Sequence, residues 1–385
     1  MNLLIIPSWY DTPDNPVRGL FFKEQAHALL DYFTKNGIEA TVTIIALQQY
    51  NIKEIGMYSG IKKINISEEN GITTVRARMF HFPKLEEINF RRGAAFLKKL
   101  ILQAQKLLEI KFDLIHIHST QFSGIWYGIS KMKIPYVITE HSSAYFRNRI
   151  GATEKKYLPA VFDNAKSVIA VGNGLAKKIQ AYSQKDVKVV FNIVKEVPCS
   201  TFEGIKQNEE FTFFSLGYDI KVKGFDILLN AFSRFLVNHR GVLVIGGLTE
   251  EGQNILKEQA KQLGISNSLE LLGRIPHDEV YKYMARSSCF VLPSRFETFG
   301  IVLAESMYVG RPVIASRTGG PDSFVNENNG ILIEPGNEDE LFNALVSMKE
   351  NYSSYNSAEM HEYATKTFSA DAICDKLYKI YKSVL

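Results

Sequence analysis

The sequence predicts an α/β protein with two doubly wound parallel-sheet domains. Short apolar runs alternate with longer amphipathic segments, which is the rhythm of βαβ units. This rhythm stops and starts again around a polar stretch at residues 196–210, EVPCSTFEGIKQNEE. The chain has 385 residues, of which 45% are hydrophobic, and a single core rarely serves more than about 250–300 residues. Two separate cores are therefore expected.

Strands and helices alternate through the first half of the chain. The apolar run LLIIPS precedes the amphipathic segment EQAHALLDYFTKNG, and the apolar run ATVTIIAL follows it. Four further buried strands are indicated by FDLIHIH, YVITEH, SVIAVG and VKVVFN. Each run has the length and apolar character of a strand in a parallel sheet. We assign residues 1–195 to this N-terminal domain.

The second half repeats the pattern. Its strands are indicated by FTFFSLG, GVLVIGG, SLELLG, CFVLPS, PVIAS and GILIEP, and its first helix by GFDILLNAFSRFLVN. We assign residues 196–365 to this domain and treat residues 366–385, which are amphipathic and basic, as a separate C-terminal helix. In open α/β sheets, ligands bind beyond the carboxyl ends of the strands. The cleft between the two domains is therefore the expected site.

Cysteine usage and hydropathy narrow the class of protein. Cys199, Cys289 and Cys374 are odd in number and widely spaced, so they form neither a disulfide framework nor a metal-binding motif. Only four consecutive apolar residues precede Pro7, which is too short for a signal peptide. No apolar run approaches the roughly 18 residues of a membrane-spanning helix. These features predict a cytoplasmic protein, with attachment at the inner face of a membrane as an open alternative.

Charge is distributed unevenly between the halves. Residues 1–195 hold 27 Lys and Arg against 16 Asp and Glu, a net of +11, whereas residues 196–385 hold 18 against 25, a net of −7. The basic half is expected to face something anionic. Within it, Arg91–Lys111 carries six positive charges and one negative, with apolar residues at helical spacing. That segment fits an anionic lipid surface, a helix packed on its own sheet, or the neighbourhood of an anionic acceptor.

Two glutamates bracket the motif RFETFGIVLAES. Glu297 follows a predicted strand, and Glu305 lies eight residues later, within a predicted helix that Gly310 caps and Pro312 stops. At about 1.5 Å per residue the two carboxylates are expected up to about 12 Å apart. A glycosidase pair needs about 5–9.5 Å, so the spacing favours one long polar ligand held at both ends.

An anion site is predicted between the two glutamates. The helix start leaves backbone N–H groups free and adds the positive end of its dipole; these groups belong to Phe299, Gly300 and Ile301. Lys223, in DIKVKGFD, follows another predicted strand and could place its ammonium on the same anion. A diphosphate at this point would put a ribose diol at Glu305 and a sugar at Glu297. This pattern indicates a nucleotide sugar.

The motif and its surroundings resemble the second domain of the retaining glycosyltransferases of family 4. RFETFGIVLAES carries the E-x7-E motif of that family, with LGYDIKVKGFDILLNAF before it and TGGPDSFVNENNGILIEPGN after it. Leu271–Ser294, LLGRIPHDEVYKYMARSSCFVLPS, is similar to the family's approach to that motif. More loosely, IPSWYDTPDNPVRGLFFKEQAHAL resembles a variant whose glycine-rich loop is reduced to one glycine, Gly19.

The resemblance implies a GT-B fold, which consists of two Rossmann-like domains facing a cleft. It implies transfer of a hexose-type sugar with retention of configuration, without a metal or any other cofactor. Glu297 would hold sugar hydroxyls, Glu305 the ribose, and Lys223 the leaving diphosphate. The implied donor is a nucleotide diphosphate sugar, UDP favoured over GDP. The implied acceptor is a glycan or polyprenyl-linked glycan, bound by the first domain during capsule, exopolysaccharide or lipopolysaccharide assembly. No nucleic-acid partner is expected, and the last helix would cross back to the first domain.

Two further points follow from the resemblance. His141, at the end of the strand-like run YVITEH, would touch the donor sugar from the first domain. The family often has Arg directly after the strand-end glycine, but here Gly217 is followed by Tyr218. A second cation for the diphosphate would then have to come from elsewhere, and Arg18 and Arg274 are the candidates.

Other interpretations remain open. A nucleotide-sugar epimerase on the same architecture would need acid–base residues in the first domain, where Glu140 and His141 are the obvious ones. A non-catalytic nucleotide-sugar or lipid-surface binding protein is the alternative from another class. A dehydrogenase is disfavoured because no glycine-rich fingerprint follows the first strand. The GNG sequence at Gly172–Gly174 is interpreted as a turn that begins a helix, because Lys177 stands where a dinucleotide fingerprint requires glycine.

Overall fold

The computed structural model describes the chain except for residues 13–14, 16–17 and 55–63. The chain forms two compact units. The first consists of Met1–Val171, Leu175–Ile193 and Ala370–Leu385, and the second of Gly172–Gly174 and Val194–Ser369. The C-terminal segment thus belongs to the same unit as the N-terminus.

The described residues form fourteen strands, eight in the sheet of the first unit and six in the sheet of the second. In chain order they are β1 (Asn2–Pro7), β2 (Thr41–Tyr50), β3 (Ile64–Glu69), β4 (Ile72–Phe80), β5 (Leu114–His118), β6 (Tyr136–Glu140), β7 (Ser167–Ala170), β8 (Val187–Val189), β9 (Thr212–Leu216), β10 (Val242–Gly246), β11 (Leu269–Leu271), β12 (Cys289–Leu292), β13 (Val313–Ser316) and β14 (Gly330–Ile333). The first sheet has the order β3-β4-β2-β1-β5-β6-β7-β8, and the second β11-β10-β9-β12-β13-β14.

Thirteen α-helices lie among the described residues. They are α1 (Leu20–Lys35), α2 (Glu86–Leu107), α3 (Ile125–Ser130), α4 (Ala152–Asn164), α5 (Asn173–Gln180), α6 (Ile220–Lys223), α7 (Phe225–Phe235), α8 (Glu250–Gln262), α9 (His277–Arg286), α10 (Ile301–Tyr308), α11 (Glu338–Glu350), α12 (Ser357–Phe368) and α13 (Ala370–Val384). None of these helices is both long and apolar enough to cross a lipid bilayer.

Each sheet is doubly wound, as the alternating pattern predicts. All strand pairs of the second sheet are parallel. Among the described strands of the first sheet, β3 pairs with β4 in antiparallel orientation and the other pairs are parallel. The strand order reverses between β1 and β5 in the first sheet and between β9 and β12 in the second. Ligands of open α/β sheets bind at such switch points, beyond the carboxyl ends of the strands. A ligand is therefore expected at the loops that follow these four strands.

Helix α13 is held on the first unit by one apolar face. Ile373, Leu377 and Tyr381 recur every four residues and are buried in the core of the first unit, together with residues of α1 and the sheet. At about 25 cal/mol per Å² of apolar surface removed from water, such side chains contribute about 1.5–3 kcal/mol each. The helix begins at Ala370, four residues after the start assigned from the sequence, because α12 continues to Phe368.

Candidate functional site

The loops after β9 and β12 meet at the switch point of the second sheet. Gly224 ends α6 with a φ of 73°, and a Cβ atom at this position would lie 2.1 Å from the carbonyl oxygen of Pro293. The backbone N–H of Arg295 donates to the carbonyl oxygen of Val222 at 2.8 Å. Only glycine permits this approach, so the contact between the two loops requires the glycine of the KG sequence.

An ion pair fastens the same two loops. The Arg295 guanidinium contacts both carboxylate oxygens of Asp226, at 2.8 and 3.1 Å, from opposite sides of the switch point. Burial raises the pKa of Asp226, but hydrogen bonds from Arg295 and Lys221 outweigh it and leave the pKa below its usual value. This bidentate contact fixes the loop that carries Glu297 against the start of α7.

Lys223 and Glu297 are brought together by these loops. The Nζ atom of Lys223 lies 2.8 Å from Oε2 of Glu297, and the side chains are only 20% and 16% exposed. Gly217, directly after β9, makes room for the lysine: a Cβ atom there would lie 2.7 Å from Cγ of Lys223. The glycine after the strand therefore leaves a channel for the aliphatic stem of Lys223.

Helix α10 begins beside this pair. Gly300 is its N-cap with a φ of 92°, no side chain caps the helix, and its first turn contains no acidic residue. The first backbone N–H groups of any helix lack partners within the helix, which leaves those of Gly300 and Ile301 suited to an anion. The Phe299 ring instead packs in the core, against Phe324 and Phe368. Its contribution to an anion site is limited to its backbone.

Glu305 lies inside α10 and is nearly buried, with 4% of its side chain exposed. Its Oε1 lies 2.9 Å from Nε2 of His277, the first residue of α9. No local pattern in the sequence singles out His277. It precedes two acidic residues at a helix start, where a histidine is ordinarily a surface residue, and its proximity to Glu305 arises only from the packing of α9 on α10.

The two candidates for a second cation are both exposed. Arg274 follows β11 in the second unit, and Arg18 precedes α1 in the first unit. Tyr218, which occupies the position of the family's arginine, is 76% exposed. Gly19 is the N-cap of α1 with a φ of 69°, and a Cβ atom there would lie 2.7 Å from the carbonyl oxygen of Trp9. The positive φ and the close approach to Trp9 thus require glycine at position 19.

His141 follows β6 in the first unit and is 8% exposed. Its Nε2 lies 3.1 Å from Nδ1 of His118, and the rings of Phe21 and Phe22 lie about it at centroid distances of 5.1 Å. Burial lowers its pKa to about 3, His116 acts in the same direction, and the Asn192 side chain opposes them. The imidazole is therefore neutral at physiological pH.

Glu140, the residue before His141, is fully buried. Its carboxylate accepts five hydrogen bonds of 2.7–2.8 Å, which come from the Ser119 hydroxyl, the Thr120 backbone and hydroxyl, and the backbone N–H groups of His141 and Ser142. A carboxylate offers about four lone-pair sites, so this one is fully used. Glu140 holds the loops after β5 and β6 together, and this occupation removes one of the two acid–base residues that an epimerase would need.

Two other histidines are structural, as their place on a buried strand predicts. Nδ1 of His116 lies 2.6 Å from the Tyr381 hydroxyl, and its Nε2 lies 2.7 Å from the Thr139 hydroxyl. His118 is equally buried, against Phe22. Their pKa values are lowered by burial, that of His116 to about 3. His116 thus connects the centre of the sheet to α13.

The GNG sequence is explained by close backbone packing within the second unit. The N–H of Gly174 donates to the carbonyl oxygen of Gly319 at 2.8 Å, and a Cβ atom at Gly174 would lie 2.4 Å from Cα of Gly319. A Cβ atom at Gly172 would lie 2.7 Å from the carbonyl oxygen of Thr298. The two glycines are needed for this approach, and α5 begins at Asn173.

Comparison with known proteins identifies the chain. Residues 25–196 match the family described as Glycosyltransferase Family 4, and residues 200–367 match the family described as Glycosyl transferases group 1. This chain belongs to the glycosyltransferases. The glycosyltransferase has a GT-B fold, with two Rossmann-like parallel-sheet units, as the sequence predicted. Among its described residues, no group of three or more His, Cys, Asp or Glu side chains is placed to hold a metal ion.

Some relatives of this glycosyltransferase are named for the biosynthesis of polysaccharides or lipid-linked glycans. A Bacillus subtilis protein, named provisionally as the teichuronic acid biosynthesis glycosyltransferase TuaC, is 24% identical and covers 100% of this chain and 99% of its own. A Campylobacter jejuni enzyme, N-acetylgalactosamine-N,N'-diacetylbacillosaminyl-diphospho-undecaprenol 4-alpha-N-acetylgalactosaminyltransferase, is 26% identical over 66% of this chain and 71% of its own. The structure of Anabaena Alr3699/HepE in complex with UDP-glucose has a TM-score of 0.66 at 18% identity, with 100% of both chains covered. The glycosyltransferase thus acts in polysaccharide or glycolipid biosynthesis.

Proposed function

We propose that this glycosyltransferase moves a hexose-type sugar from a nucleotide diphosphate sugar to a hydroxyl of a glycan or polyprenyl-linked glycan, with retention of configuration and without a metal. The observation that carries the proposal is the contact between Lys223 and Glu297, 2.8 Å apart at the switch point of the second sheet. A cation for a leaving phosphate and a carboxylate for sugar hydroxyls are adjacent there, next to a helix N-terminus.

The leaving diphosphate is stabilised by Lys223 and by the start of α10. Breaking the bond between sugar and phosphate builds negative charge on the phosphate oxygen, so donors fixed in advance at that point lower the barrier. Lys223 supplies one full positive charge, and the N–H groups of Gly300 and Ile301 lie at the positive end of the helix dipole. Arg274, exposed in the same unit, is the proposed second cation. These groups take the role that a divalent metal plays in other transferases.

The other ends of the donor have separate partners. Glu297 accepts hydrogen bonds from hydroxyls of the transferred sugar, and Glu305 accepts them from the ribose. His141 contacts the donor sugar as a neutral imidazole, and Arg18 and Gly19 belong to the phosphate-binding groups of the first unit. Because Glu297 is engaged with Lys223, we assign it no nucleophilic role. The acceptor hydroxyl attacks the face from which the diphosphate departs, and a phosphate oxygen takes its proton.

The proposed acceptor and cellular setting rest on the charge of the N-terminal half and on the named relatives. UDP is favoured as the carrier nucleotide, in line with the UDP-glucose complex of the Anabaena protein, and GDP is the alternative. The net charge of +11 over residues 1–195 suits an anionic acceptor, such as a lipid diphosphate glycan of the kind named for the Campylobacter enzyme. We place the reaction at the cytoplasmic face of a membrane, with α2 as the segment nearest the anionic lipids.

The proposal is tested by incubating the enzyme with sugar nucleotides and a panel of lipid-linked and free glycans, in EDTA. The expected result is release of a nucleoside diphosphate together with a product whose anomeric configuration, read by NMR, equals that of the donor. An inverted product or a strict metal requirement would contradict the proposal. Isolation of a covalent glycosyl–enzyme species would contradict the same-face mechanism alone.

A further inference from the structure

The contact between His277 and Glu305 joins a buried group to an exposed one. The Glu305 side chain is 4% exposed and that of His277 is 43% exposed, with 2.9 Å between Oε1 of the glutamate and Nε2 of the histidine. A buried carboxylate is costly unless hydrogen bonds replace its hydration. Among the described contacts of the Glu305 side chain, His277 is the partner that supplies one. The imidazole therefore lies where the carboxylate meets solvent.

The orientation of the imidazole is fixed by its own surroundings. His277 is the first residue of α9, directly after Pro276, whose φ of −57° sets the direction of entry into the helix. Its ring packs edge-on against Tyr281, with 5.3 Å between the ring centroids and an interplanar angle of 79°. Tyr281 in turn donates from its hydroxyl to the carbonyl oxygen of Lys195 at 2.7 Å. The histidine is thus held in place by packing on its own helix.

One histidine does not use up the carboxylate. An ionised carboxyl group has about four lone-pair sites, and Nε2 of His277 occupies one on Oε1. If Nε2 carries the proton, its N–H donates to Oε1, and the remaining sites have no other partner among the described residues. A glutamate has three side-chain torsions, so a free Glu305 would have to be ordered each time a ligand binds, at a cost in entropy. The contact with His277 fixes these torsions beforehand.

We propose that His277 is a positioning residue for the donor ribose. It fixes the Glu305 carboxylate so that its unoccupied lone pairs accept hydrogen bonds from the 2′ and 3′ hydroxyls. This inference rests on the proposed role of Glu305 as the ribose-binding carboxylate. His277 contributes to recognition of the ribose and takes no part in the transfer step, so its loss weakens donor binding and reduces discrimination between ribose and deoxyribose.

The test is a calorimetric comparison of UDP and 2′-deoxy-UDP binding, with the GDP pair run in parallel. The proteins are the wild type, His277→Ala, His277→Gln, and His239→Ala as a matched loss of an imidazole elsewhere in the unit. Thermal unfolding of each variant establishes that it is folded. The glutamine variant retains a side-chain N–H that can reach the carboxylate.

For the wild type we expect preferential binding of the ribonucleotide. His277→Ala should weaken binding of the ribonucleotide about tenfold, the loss of one hydrogen bond to a charged group, and should shrink its preference over the deoxynucleotide. His277→Gln should restore most of both, and His239→Ala should change neither. An alanine variant that binds like the wild type, or that weakens both nucleotides equally, would overturn this inference alone. A wild type that binds no nucleoside diphosphate would overturn the proposed function as well.

Discussion

Lys223 Nζ lies 2.8 Å from Glu297 Oε2, and this contact joins the loop after β9 to the loop after β12. The two residues lie 74 positions apart in the chain. They meet because Gly224 and Arg295 bring the backbones of the two loops together. Both side chains are partly buried, so the field of each is less screened than at the surface. A site that is positioned before its substrate arrives needs little reorganisation during the reaction.

Replacing Lys223 should reduce turnover far more than replacing Lys221. Lys223→Met removes the cation next to the leaving phosphate, and we expect kcat to fall about 10²–10³-fold, the usual loss for one charge-stabilising group. Lys223→Arg should retain part of the activity. Lys221→Met is the matched control, because Lys221 lies in the same short helix but is 78% exposed and pairs with Asp226. The measurement is nucleoside diphosphate release at saturating donor. Equal activity of the two methionine variants would contradict the role of Lys223.

Gly217→Ala should act through Lys223. The added Cβ would lie 2.7 Å from the lysine Cγ, so the stem has to move and the ammonium moves with it. We expect kcat to fall at least tenfold, because positioning errors of about 1 Å are costly in catalysis. The decisive comparison is the double variant with Lys223→Met, which should be no worse than Lys223→Met alone. If the double variant instead shows the product of the two single losses in kcat, Gly217 does not act through Lys223.

Fold class was readable from the sequence, because parallel strands buried on both faces are continuous apolar runs. The hairpin of β3 and β4 was missed, although Asn70 and Gly71, with φ values of 50° and 80°, form the type of turn that favours such hairpins. Its strands mix charged and apolar residues and contain no long apolar run. Composition alone therefore did not distinguish them from a loop.

The site was only partly readable. Lys223, Glu297 and the start of α10 follow strands and flank glycines, so local sequence reveals them. The contact of His277 with Glu305 and the full occupation of Glu140 depend on packing between distant segments, which no local pattern encodes. The turn predicted at Gly172–Gly174 is confirmed, since α5 begins at Asn173, but the need for glycine there comes from close approach to Gly319 and Thr298, which a local pattern does not reveal.

Tyr381→Phe should loosen α13 from the first unit. The Tyr381 hydroxyl lies 2.6 Å from Nδ1 of the fully buried His116, and its removal leaves a buried polar atom without that partner. We expect the free energy of unfolding to fall by about 1–3 kcal/mol, as measured by urea unfolding, together with faster proteolysis near residue 370. Tyr378→Phe, in the same helix, should cost under about 0.5 kcal/mol, as is usual away from such features. Equal losses of unfolding free energy in Tyr381→Phe and Tyr378→Phe would contradict the proposed role of the Tyr381 hydroxyl.

The first unit should lose stability in mild acid. His116 and His141 have pKa values of about 3, and that of His118 is also lowered, all chiefly by burial. An unfolded histidine has a pKa of about 6.5, so between these values the unfolded chain binds more protons than the folded one. The stabilisation that the neutral histidines provide is complete above a pH of about 6.5 and is lost progressively as the pH falls toward 3.

Both tryptophans, Trp9 and Trp126, lie in this unit, so their fluorescence reports on it during urea unfolding. The useful range is pH 7 to 5, in which most carboxylates stay ionised. We expect the urea midpoint of the fluorescence transition to fall steadily across that range. A midpoint that stays constant from pH 7 to 5 would show that these histidines are not neutral and buried in the folded protein.

The central claim is that a nucleotide sugar binds at the switch point of the second sheet, with its ribose on Glu305. The most direct test is thermal unfolding of the wild type and Glu305→Ala against UDP, GDP, ADP and their common sugars, with and without EDTA. A ligand at 100 times its dissociation constant stabilises by about 2.7 kcal/mol. We predict a clear upward shift in Tm with one nucleotide class, unchanged by EDTA and lost in Glu305→Ala. No shift with any nucleotide, or an undiminished shift in the variant, would contradict the account.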